Sequence, residues 1–366
     1  MSFTLSGTEA PLTAGSLHAM CRSDRGAKYL IFGRSNRVFR ETVWRSCYLT
    51  EISPADPPHP PRLAHWRRVG ESKPVLFQTI LDAIGRTPLV RLARVGAGLP
   101  AELYGKVEAC NPGGSAKDRL ALHLANMAEK RGLLRPGGTI VEASAGNTGV
   151  GLAMIAAVRG YHCVVVVPHG TSADKLAVVR AFGAEVHECA PSEDYVEIAE
   201  RIARERRAFR PDQFHNPDNP ESHGLTTAAE IWDDLDGRVD ALVAACGTGG
   251  TLSGIGRALR ERNPALALVR VVPGNAHGES VIEGVAPEGP PASFACPELT
   301  CELHVSDEES FVAARRLARE EAILVGGSAG AAFAGALRYA REARPGARIV
   351  VILPDTGRNY VGSLAR

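Results

Sequence analysis

Residues 241–262 have the sequence ALVAACGTGGTLSGIGRALRER, and this stretch decides the fold class. Its beginning, Ala241–Ala245, is an unbroken apolar run, which is typical of a buried strand in a parallel sheet. A glycine-rich turn follows, and Leu252–Arg262 then has the spacing of apolar residues expected of an amphipathic helix. The next apolar run is Val269–Val272. Strand, turn, helix and strand in this order predict a βαβ unit.

The same alternation extends along the chain from about Leu76. Further short apolar runs are Thr139–Val141, Cys163–Val167 and Arg348–Leu353. Segments of helical length and spacing lie between the runs: Asp118–Lys130, Thr148–Val158, Asp174–Phe182, Glu193–Arg206, Thr226–Leu235 and Ala329–Ala343. Parallel strands need a crossover, usually a helix. We therefore predict an α/β protein with doubly wound, mostly parallel sheets.

Composition excludes some classes of partner. The 366 residues contain 42 basic and 41 acidic side chains, so charge gives no reason to expect a nucleic acid or a membrane surface as partner. The apolar runs are too short to cross a bilayer, and Met1–Ala10 lacks the apolar core of a secretory signal. Eight cysteines occur without a CxxC pair. We expect free thiols and a cytoplasmic location.

The first candidate site segment is Asn111-Pro-Gly-Gly-Ser-Ala-Lys117, a turn that leads into a predicted helix. Ser115 is placed to cap that helix, and Lys117 falls in its first turn. The positive end of the helix dipole disfavours a cation there. The amine then loses its proton more easily, as a Schiff-base lysine requires. Taken alone, the segment also fits an ordinary surface lysine after a loop.

The second segment, residues 141–149, has the sequence VEASAGNTG. It leaves a predicted strand, turns through small and hydroxylated residues, and enters a helix. Backbone N–H groups of such a turn point at an anion, and Ser144 and Thr148 add hydroxyl donors. The segment suits a substrate carboxylate, although a helix start without a ligand explains it equally well.

Two more glycine-rich turns follow strands. Gly247-Thr-Gly-Gly-Thr251 lets the backbone close around a phosphate at a helix N-terminus. Leu252 stands where a dinucleotide motif needs its third glycine, and the P-loop ending is absent, so a lone phosphate fits better. In Val325-Gly-Gly-Ser-Ala-Gly330, Ser328 is placed to hydrogen-bond a heterocyclic nitrogen.

Together, the four segments resemble the cysteine synthase/cystathionine β-synthase family, the fold-type II pyridoxal-phosphate enzymes. The similarity starts near ILDAIGRTPLVR at residues 80–91 and continues to LPDTGRNY at residues 353–360, which is about three-quarters of the chain. The GGSAG segment at residues 326–330, Thr226–Ala228 and the LPDTGRNY ending look closer to the cystathionine β-synthase branch.

The resemblance implies a tryptophan synthase β-like fold with two doubly wound sheets. It implies a large cofactor-binding domain at residues 74–110 and 222–366. A smaller domain, residues 111–221, is expected to be mobile and to close over the substrate. Residues 1–73 are then an irregular, basic and proline-rich extension, with 11 basic and 6 acidic side chains.

The resemblance also implies roles for individual residues. Lys117 would hold pyridoxal 5'-phosphate and move the substrate's α-proton. Asn147 would bond the ring 3'-oxygen, and Ser328 would face the pyridine nitrogen. The phosphate would be held by Gly247, Thr248, Gly249, Gly250 and Thr251. The substrate carboxylate would be held by Ser144, Ala145, Thr148 and Gln213. No metal is implied.

The implied reaction is β-replacement on an O-activated L-serine, either O-acetylserine or O-phosphoserine, through an α-aminoacrylate. Sulfide is the first-choice nucleophile and gives L-cysteine. Two alternatives within the family stay open: serine with homocysteine giving cystathionine, and an amine nucleophile giving diaminopropionate for a natural product. A third is a catalytically inactive cofactor-binding protein that acts on a partner enzyme. By family habit, we expect a homodimer.

Three positions depart from the family pattern. Ala145 stands where a serine is usual, Gly224 follows His223 where an aromatic residue is common, and Gly284-Val-Ala replaces a frequent Gly-Ile-Gly. These departures bear on the identity of the substrate and nucleophile more than on the reaction class. We expect a structural role for His223, and we expect Cys246 to be a small core residue.

The extension leaves one further alternative open. Some cystathionine β-synthases bind haem through a cysteine and a histidine near the N-terminus, and Cys47 with His59 or His65 resembles that spacing. Thiolate and imidazole are both competent haem ligands. Five prolines in Pro54–Pro61 argue against regular structure there. The preferred prediction is an extension without a part in the chemistry.

Overall fold

The computed structural model describes residues 76–274, 279–286 and 294–364, together with three short strands near the start of the chain. By its contacts the chain divides into two compact units, Met1–Val75 and Leu76–Arg366. The first unit contains an antiparallel sheet of β1 (Thr4–Leu5), β2 (Ala19–Arg22) and β3 (Lys28–Ile31). The predicted haem ligands Cys47, His59 and His65 lie outside the described residues.

The second unit contains two sheets and ten helices among its described residues. The strands are β4 (Leu89–Arg91), β5 (Glu102–Val107), β6 (Thr139–Ala143), β7 (His162–Val167), β8 (Glu185–Glu188), β9 (Ala241–Ala245), β10 (Ala267–Pro273), β11 (Cys301–Val305) and β12 (Arg348–Leu353). The α-helices are α1 (Lys117–Lys130), α2 (Asn147–Arg159), α3 (Ala173–Ala181), α4 (Tyr195–Arg206), α5 (Asp218–Leu225), α6 (Thr227–Asp234), α7 (Gly250–Arg262), α8 (Asp307–Glu321), α9 (Gly327–Glu342) and α10 (Val361–Leu364). None of the described helices is long and apolar enough to cross a bilayer.

The larger sheet has six strands in the order β11-β10-β9-β12-β5-β4, and only the edge strand β4 is antiparallel to its neighbour. The smaller sheet has the order β6-β7-β8 and is parallel throughout. The predicted α/β fold with mostly parallel sheets is confirmed. The larger sheet departs from chain order through crossovers, as in a doubly wound fold, whereas the smaller sheet follows chain order.

The core lies on both faces of the larger sheet. On β9, Leu242 and Ala244 face one core with Ile255 of α7, whereas Val243 faces the other core with Phe333 of α9. All five side chains are almost inaccessible to solvent. Burial of each large apolar side chain contributes about 1.5–3 kcal/mol. The unbroken apolar run that predicted β9 is therefore explained by helices on both sides of the strand.

Two predicted strands, Ala241–Ala245 and Arg348–Leu353, match the structure residue for residue. The strand β5 was not predicted, because Glu102, Gly105 and Lys106 interrupt its apolar pattern. In the structure Lys106 is fully buried, with its Nζ 2.9 Å from Glu230 Oε2 and 2.7 Å from the carbonyl oxygen of Thr87. A charge can occupy a buried strand because a partner from another element neutralises it.

A buried charge network fixes the chain on both sides of Lys117. Arg119 donates to Glu108 through Nε at 2.7 Å and to Glu230 through Nη1 at 2.6 Å. Glu108 also accepts from Asn111 Nδ2 at 2.8 Å, and the Asn111 side chain accepts from the N–H of Gly85. Paired charges of this kind are costly to break, because the remaining partner stays buried. The network therefore sets the path of the loop that enters α1.

Glu142 is a second buried carboxylate near the predicted site. It accepts hydrogen bonds from the backbone N–H groups of Asp212 at 2.9 Å and Gln213 at 3.3 Å. Burial is the main cause that raises the pKa of Glu142 to about 7. The unfolded chain ionises this group near pH 4.5, so between the two values the unfolded state holds fewer protons than the folded state. Ionisation of Glu142 therefore lowers the free energy of unfolding as the pH rises from 4.5 to 7.

We expect Glu142→Gln to remove this pH dependence, because glutamine is neutral and nearly isosteric. Relative to the unsubstituted protein, the variant's free energy of unfolding should rise by about 2 kcal/mol between pH 5.5 and pH 8. Urea unfolding curves at several pH values measure the difference. Asp118, whose pKa burial also raises to about 7, is present in both proteins and cancels. An equal pH dependence in both would contradict the prediction.

Candidate active site

Three of the four glycine-rich turns meet around the segment Pro354–Thr356, which follows β12. The N–H of Ala116, just before α1, donates to the carbonyl of Pro354 at 2.8 Å, and Ser115 forms a β-bridge with Asp355. Gly326, just before α9, donates to the carbonyl of Asp355 at 3.4 Å. Asn147, at the start of α2, donates through its side chain to the Asp355 carboxylate. Three of the turns thus share one anchor.

Lys117 is the first residue of α1, as predicted to within one residue. Ser115 Oγ accepts its N–H at 3.1 Å, so Ser115 satisfies a helix-terminal donor, although Ala116 is the residue directly before the helix. The lysine side chain is only half-buried, yet its surroundings lower the pKa of the amine, chiefly by desolvation. A deep position with remaining accessible surface is what a lysine facing a cavity shows. Burial cannot be read from the sequence, and it lowers the pKa of the amine in the same direction as the helix dipole.

The Asn147 amide is held in a defined orientation. Its Nδ2 donates to Asp355 Oδ2 at 2.9 Å, and the hydroxyl of Tyr360 donates to the same oxygen at 2.8 Å. A carboxylate only accepts, so the contact fixes which end of the amide faces Asp355. Asn147 also has a side-chain hydrogen bond with Tyr360.

The predicted carboxylate loop contains two internal hydrogen bonds and one to a distant segment. Ser144 Oγ accepts from the N–H groups of Gly146 at 3.3 Å and Gly149 at 3.1 Å. Thr148 donates to Gln213 Oε1 at 2.5 Å. Ser144, Thr148 and Gln213 are buried, and Ala145 is partly exposed between them. Gln213, 65 residues from Thr148 in sequence, is therefore brought to this loop as the resemblance implied.

The loop Gly247–Thr251 ends in a helix N-terminus without a side-chain cap. Gly249 has φ +83°, the left-handed region that favours glycine. A Cβ on Gly247 would collide with the carbonyl oxygen of Gly284, and a Cβ on Gly250 would collide with Asn219. Thr248 Oγ1 accepts from Asn219 Nδ2 at 3.1 Å. The loop is thus a tightly packed cradle of buried N–H groups, which suits an anion.

The side of this loop is lined by His223 and Cys246. The ring of His223 is buried, with Nδ1 3.0 Å from Thr227 Oγ1 and Nε2 3.2 Å from Thr251 Oγ1. Burial holds the pKa of His223 well below its usual value, so the ring is neutral. Burial also raises the pKa of Cys246 to about 12. A neutral imidazole that supports Thr251 and an unreactive thiol fit the structural roles predicted for both residues.

Ser328 and Gly224 complete the set of positions singled out in the sequence. Ser328 lies in the first turn of α9 and is partly exposed, so its hydroxyl is accessible to a ligand. Gly224 does not face the carboxylate loop: its nearest contacts are Gly254 and Ala258 of α7. There it lines a separate cavity of about 500 Å³ between α5, α6 and α7.

Sequence reasoning did not assign Asp355, Tyr360 or Asn219 to the site. Asp355 and Tyr360 were quoted only as part of the LPDTGRNY resemblance. The available signal was position: an acidic residue directly after the apolar run of β12 lies at the carboxyl end of a parallel strand, where α/β proteins place their ligands. Asn219 had no comparable signal, because its contact with Thr248 depends on how α5 packs.

Comparisons with known proteins point to the family that the sequence motifs resemble. A family model described as pyridoxal-phosphate dependent enzyme matches residues 80–355. The cystathionine beta-synthase of Apis mellifera is 40% identical over 306 residues, covering 78% of this chain and 61% of that protein. The Rattus norvegicus cystathionine beta-synthase is 40% identical over 318 residues, covering 81% of this chain and 57% of that protein. The chain thus matches about three-fifths of the length of these relatives.

Two solved structures are also similar. That of O-ureido-L-serine synthase has a TM-score of 0.74 and 42% identity, and the match covers 78% of this chain and 94% of the other. That of an O-acetylserine dependent cystathionine beta-synthase from Helicobacter pylori has a TM-score of 0.74 and 36% identity, with 79% and 98% covered. The chain belongs to the pyridoxal-phosphate-dependent enzymes, in the cysteine synthase/cystathionine β-synthase family.

Proposed function

We propose that this enzyme replaces the β-substituent of an O-activated L-serine, O-acetylserine or O-phosphoserine, with sulfide to give L-cysteine. The observation that carries the proposal is the half-buried amine of Lys117, whose surroundings favour its neutral form. A lowered pKa makes the amine easier to deprotonate, and the unprotonated amine can take a proton from a bound amino acid. The related O-acetylserine dependent enzyme from Helicobacter pylori supports the choice of an activated serine as donor.

Pyridoxal 5'-phosphate fits the residues present. The uncapped, buried N-terminus of α7 and the loop Gly247–Thr251 would hold the phosphate, because their N–H groups have few other partners. Lys117 would attach the cofactor, and the side-chain amide of Asn147 would bond the ring 3'-oxygen. When bound, the cofactor supplies an electron sink for negative charge at the substrate's α-carbon.

Lys117 would serve as both anchor and base. With an amino acid bound, the Nζ of Lys117 would accept its α-proton. Ser328 at the pyridine nitrogen can exchange one hydrogen bond but carries no charge. An aspartate at that place would strengthen the electron sink. A neutral partner favours rapid departure of the β-substituent over chemistry that needs a long-lived carbanion.

The carboxylate of the amino acid would lie at the start of α2. The helix N-terminus, the hydroxyl of Ser144 and the amide of Gln213 offer donors there, and Thr148 orients Gln213 through its own hydroxyl. Ala145 provides only its backbone N–H, so the site has one hydroxyl fewer than the family usually has. A weaker grip on the carboxylate bears on which donor is accepted, not on the class of reaction.

We expect Thr148→Val to raise KM for the amino-acid donor by about tenfold, equivalent to ~1.4 kcal/mol. The change removes the hydroxyl that orients Gln213 and keeps the shape of the side chain. Initial-rate kinetics measure KM, and titration of the apoprotein measures cofactor affinity, which should stay the same. Thr171→Val is the matched control, since that hydroxyl donates to the backbone of Pro168. An unchanged KM in Thr148→Val would remove the threonine from this role.

A second nucleophile, homocysteine, is favoured by the curated relatives, which are cystathionine beta-synthases. It would give cystathionine from the same donor half-reaction. Amine nucleophiles form a third option, and the similar O-ureido-L-serine synthase, named for a product other than cysteine or cystathionine, supports keeping it open. The site residues described above act before the nucleophile enters, so they are common to all three.

The decisive experiment is a panel of donors and nucleophiles. Purified holoenzyme is mixed with serine, O-acetylserine or O-phosphoserine, each with sulfide, homocysteine or an amine, and products are identified by mass spectrometry. We expect cysteine from an activated serine and sulfide as the fastest reaction. Cystathionine as the fastest product would establish the second candidate. Cofactor binding without turnover of any donor would instead support a catalytically inactive binding protein.

Domain closure belongs to the same proposal. We propose that residues 111–221 move as a unit toward residues 74–110 and 222–366 when the substrate binds, which excludes water from the reacting atoms. Lys175 of α3 pairs with Glu283 and lies 5.6 Å from the ring centroid of Tyr360. These contacts join the two proposed domains. Structures with and without a donor amino acid test the movement, and identical positions of α3 would contradict it.

We also propose that the protein is a cytoplasmic homodimer. The six cysteines in the part of the chain that the structure describes are all free, in keeping with a reducing compartment. The dimer rests on family habit alone. Light scattering on the purified protein measures its mass, and a single-chain mass would contradict the proposal.

A further inference from the structure

Asp355 occupies a central place between three elements that bear site residues. Its backbone bridges to Ser115 before α1, and its carbonyl accepts the N–H of Gly326 before α9. The side chain is 4% exposed. Oδ2 accepts from Asn147 of α2 and from Tyr360. One buried residue therefore links the starts of three helices, α1 and α9 through its backbone and α2 through its carboxyl group.

The other oxygen, Asp355 Oδ1, has no hydrogen-bond partner among the described residues and is inaccessible to solvent. A buried carboxylate oxygen without a donor is costly. A polar group left in this way in a native structure calls for an explanation, such as a catalytic role or a bound water or ion. A cation that forms nearby during the reaction would satisfy Oδ1.

Lys117 is the group that can provide this cation. Three ionisable groups bear on the electrostatics of its amine: Asp355, Cys246 and His223. Cys246 and His223 are both in their neutral forms, for the reasons given above. Asp118, next in sequence, turns its carboxylate to the N–H of Gly113. Within the described chain, Asp355 is therefore the carboxylate left to balance a charge on Lys117.

The groups around Asp355 have opposing effects on its ionisation. Lys117, Asn147 and Tyr360 favour its ionised form, whereas Glu283 opposes it. Glu283 is in turn paired with Lys175, which offsets that repulsion. Desolvation is the largest influence and raises the pKa of Asp355.

We propose that Asp355 is a positioning residue for the reaction: it fixes the amide of Asn147 and supplies the counter-charge for the ammonium form of Lys117. The second part rests on the proposed role of Lys117 as base. When Lys117 Nζ takes the α-proton, the C–H bond breaks, its electron pair stays on the substrate, and an N–H bond forms. Nζ then carries a positive charge, which Asp355 stabilises by attraction, and the charge is lost again when the proton is returned.

The test measures the pKa of Lys117 in the apoprotein, so it does not depend on catalytic turnover. Apoprotein is labelled briefly with an amine-reactive reagent at a series of pH values, and the extent of labelling of Lys117 is read by peptide mass spectrometry. Asp355→Asn keeps the shape and the hydrogen bond to Asn147 but removes the charge. We expect the labelling midpoint of Lys117 to fall by about 1 pH unit. Asp218→Asn, which neutralises a buried carboxylate paired with Arg131, should leave the midpoint unchanged.

A second variant keeps the test sharp if Asp355→Asn does not fold. Tyr360→Phe removes one of the two hydrogen bonds to Asp355 Oδ2 and keeps the ring beside Lys175. Asp355 is then less readily ionised, so we expect a smaller shift of the Lys117 midpoint in the same direction. An unchanged midpoint in every folded variant would overturn the proposal, as would an equal shift in Asp218→Asn.

In the holoenzyme, Asp355→Asn should lower kcat by about tenfold or more and leave KM for the donor nearly unchanged, because the carboxylate loop is not altered. The visible spectrum of the bound cofactor should also change if Asn147 is reoriented. The inference about Asp355 and the proposed function can fail separately. A shifted Lys117 midpoint without β-replacement activity would retain the inference and reject the proposed function. β-Replacement activity with an unshifted Lys117 midpoint would reject the inference and retain the proposed function.

Discussion

Lys117→Ala is expected to reduce turnover by about 10³-fold, because one side chain serves as both cofactor anchor and proton-transfer group. The cofactor should still bind through the loop Gly247–Thr251 and Asn147. It should, however, be removed by denaturation without the chemical release that a covalent link requires. Mass spectrometry after borohydride treatment identifies the linkage, and initial rates with an activated serine measure the loss of turnover.

Lys130→Ala is the matched control for this prediction. Lys130 lies at the other end of the same helix and is exposed, so its loss should change neither the linkage nor the rate. If Lys117→Ala retained more than a few per cent of activity, or if borohydride fixed the cofactor elsewhere, the assignment of Lys117 would be wrong. Partial recovery of turnover in Lys117→Ala by added small amines would support its role as base.

Arg119→Met is expected to lower the free energy of unfolding by about 3–5 kcal/mol. The arginine donates to Glu108 and Glu230 at once, and Glu108 is fully buried. Methionine fills similar space but leaves Glu108 without its cationic partner. Because Glu108 also holds Asn111, the loop that enters α1 should loosen and cofactor affinity should fall. Denaturant unfolding and apoprotein titration measure the two effects.

Arg91→Met provides the matched control at an exposed ion pair. Arg91 Nη2 lies 2.8 Å from Glu102 Oε1, close to the separations in the buried network, but its side chain is 62% exposed. We expect a loss of no more than about 1 kcal/mol. Similar losses in the two variants would mean that burial is not what makes the Arg119 network strong.

A site residue could be predicted when its neighbours in the sequence encode its position, and was missed when its position depends on a distant contact. The segments that contain Lys117, Ser144, Gly247–Thr251 and Ser328 could be located from their adjacent glycines. The strand predicted before Ser328 was wrong, because Val325 forms only an isolated β-bridge with Thr356. The role of each residue came from the family resemblance. Asp355 was not predicted as a site residue because its role depends on a hydrogen bond with Asn147, which is 208 residues away in the sequence. No local pattern carries a contact of that range.

The sequence by itself determined the fold class, because continuous apolar runs of strand length followed by glycine turns and amphipathic helices have one common solution, a parallel sheet covered on both faces. It also predicted which turns are candidates to bind a ligand, since parallel strands end at the same edge. Only the tertiary structure decided the electrostatics. Burial of Lys117 lowers its pKa, burial of Glu142 raises its pKa to about 7, and Glu230 allows Lys106 to occupy a strand. Desolvation and pairing depend on what surrounds a side chain in space, and the surrounding residues come from distant parts of the chain.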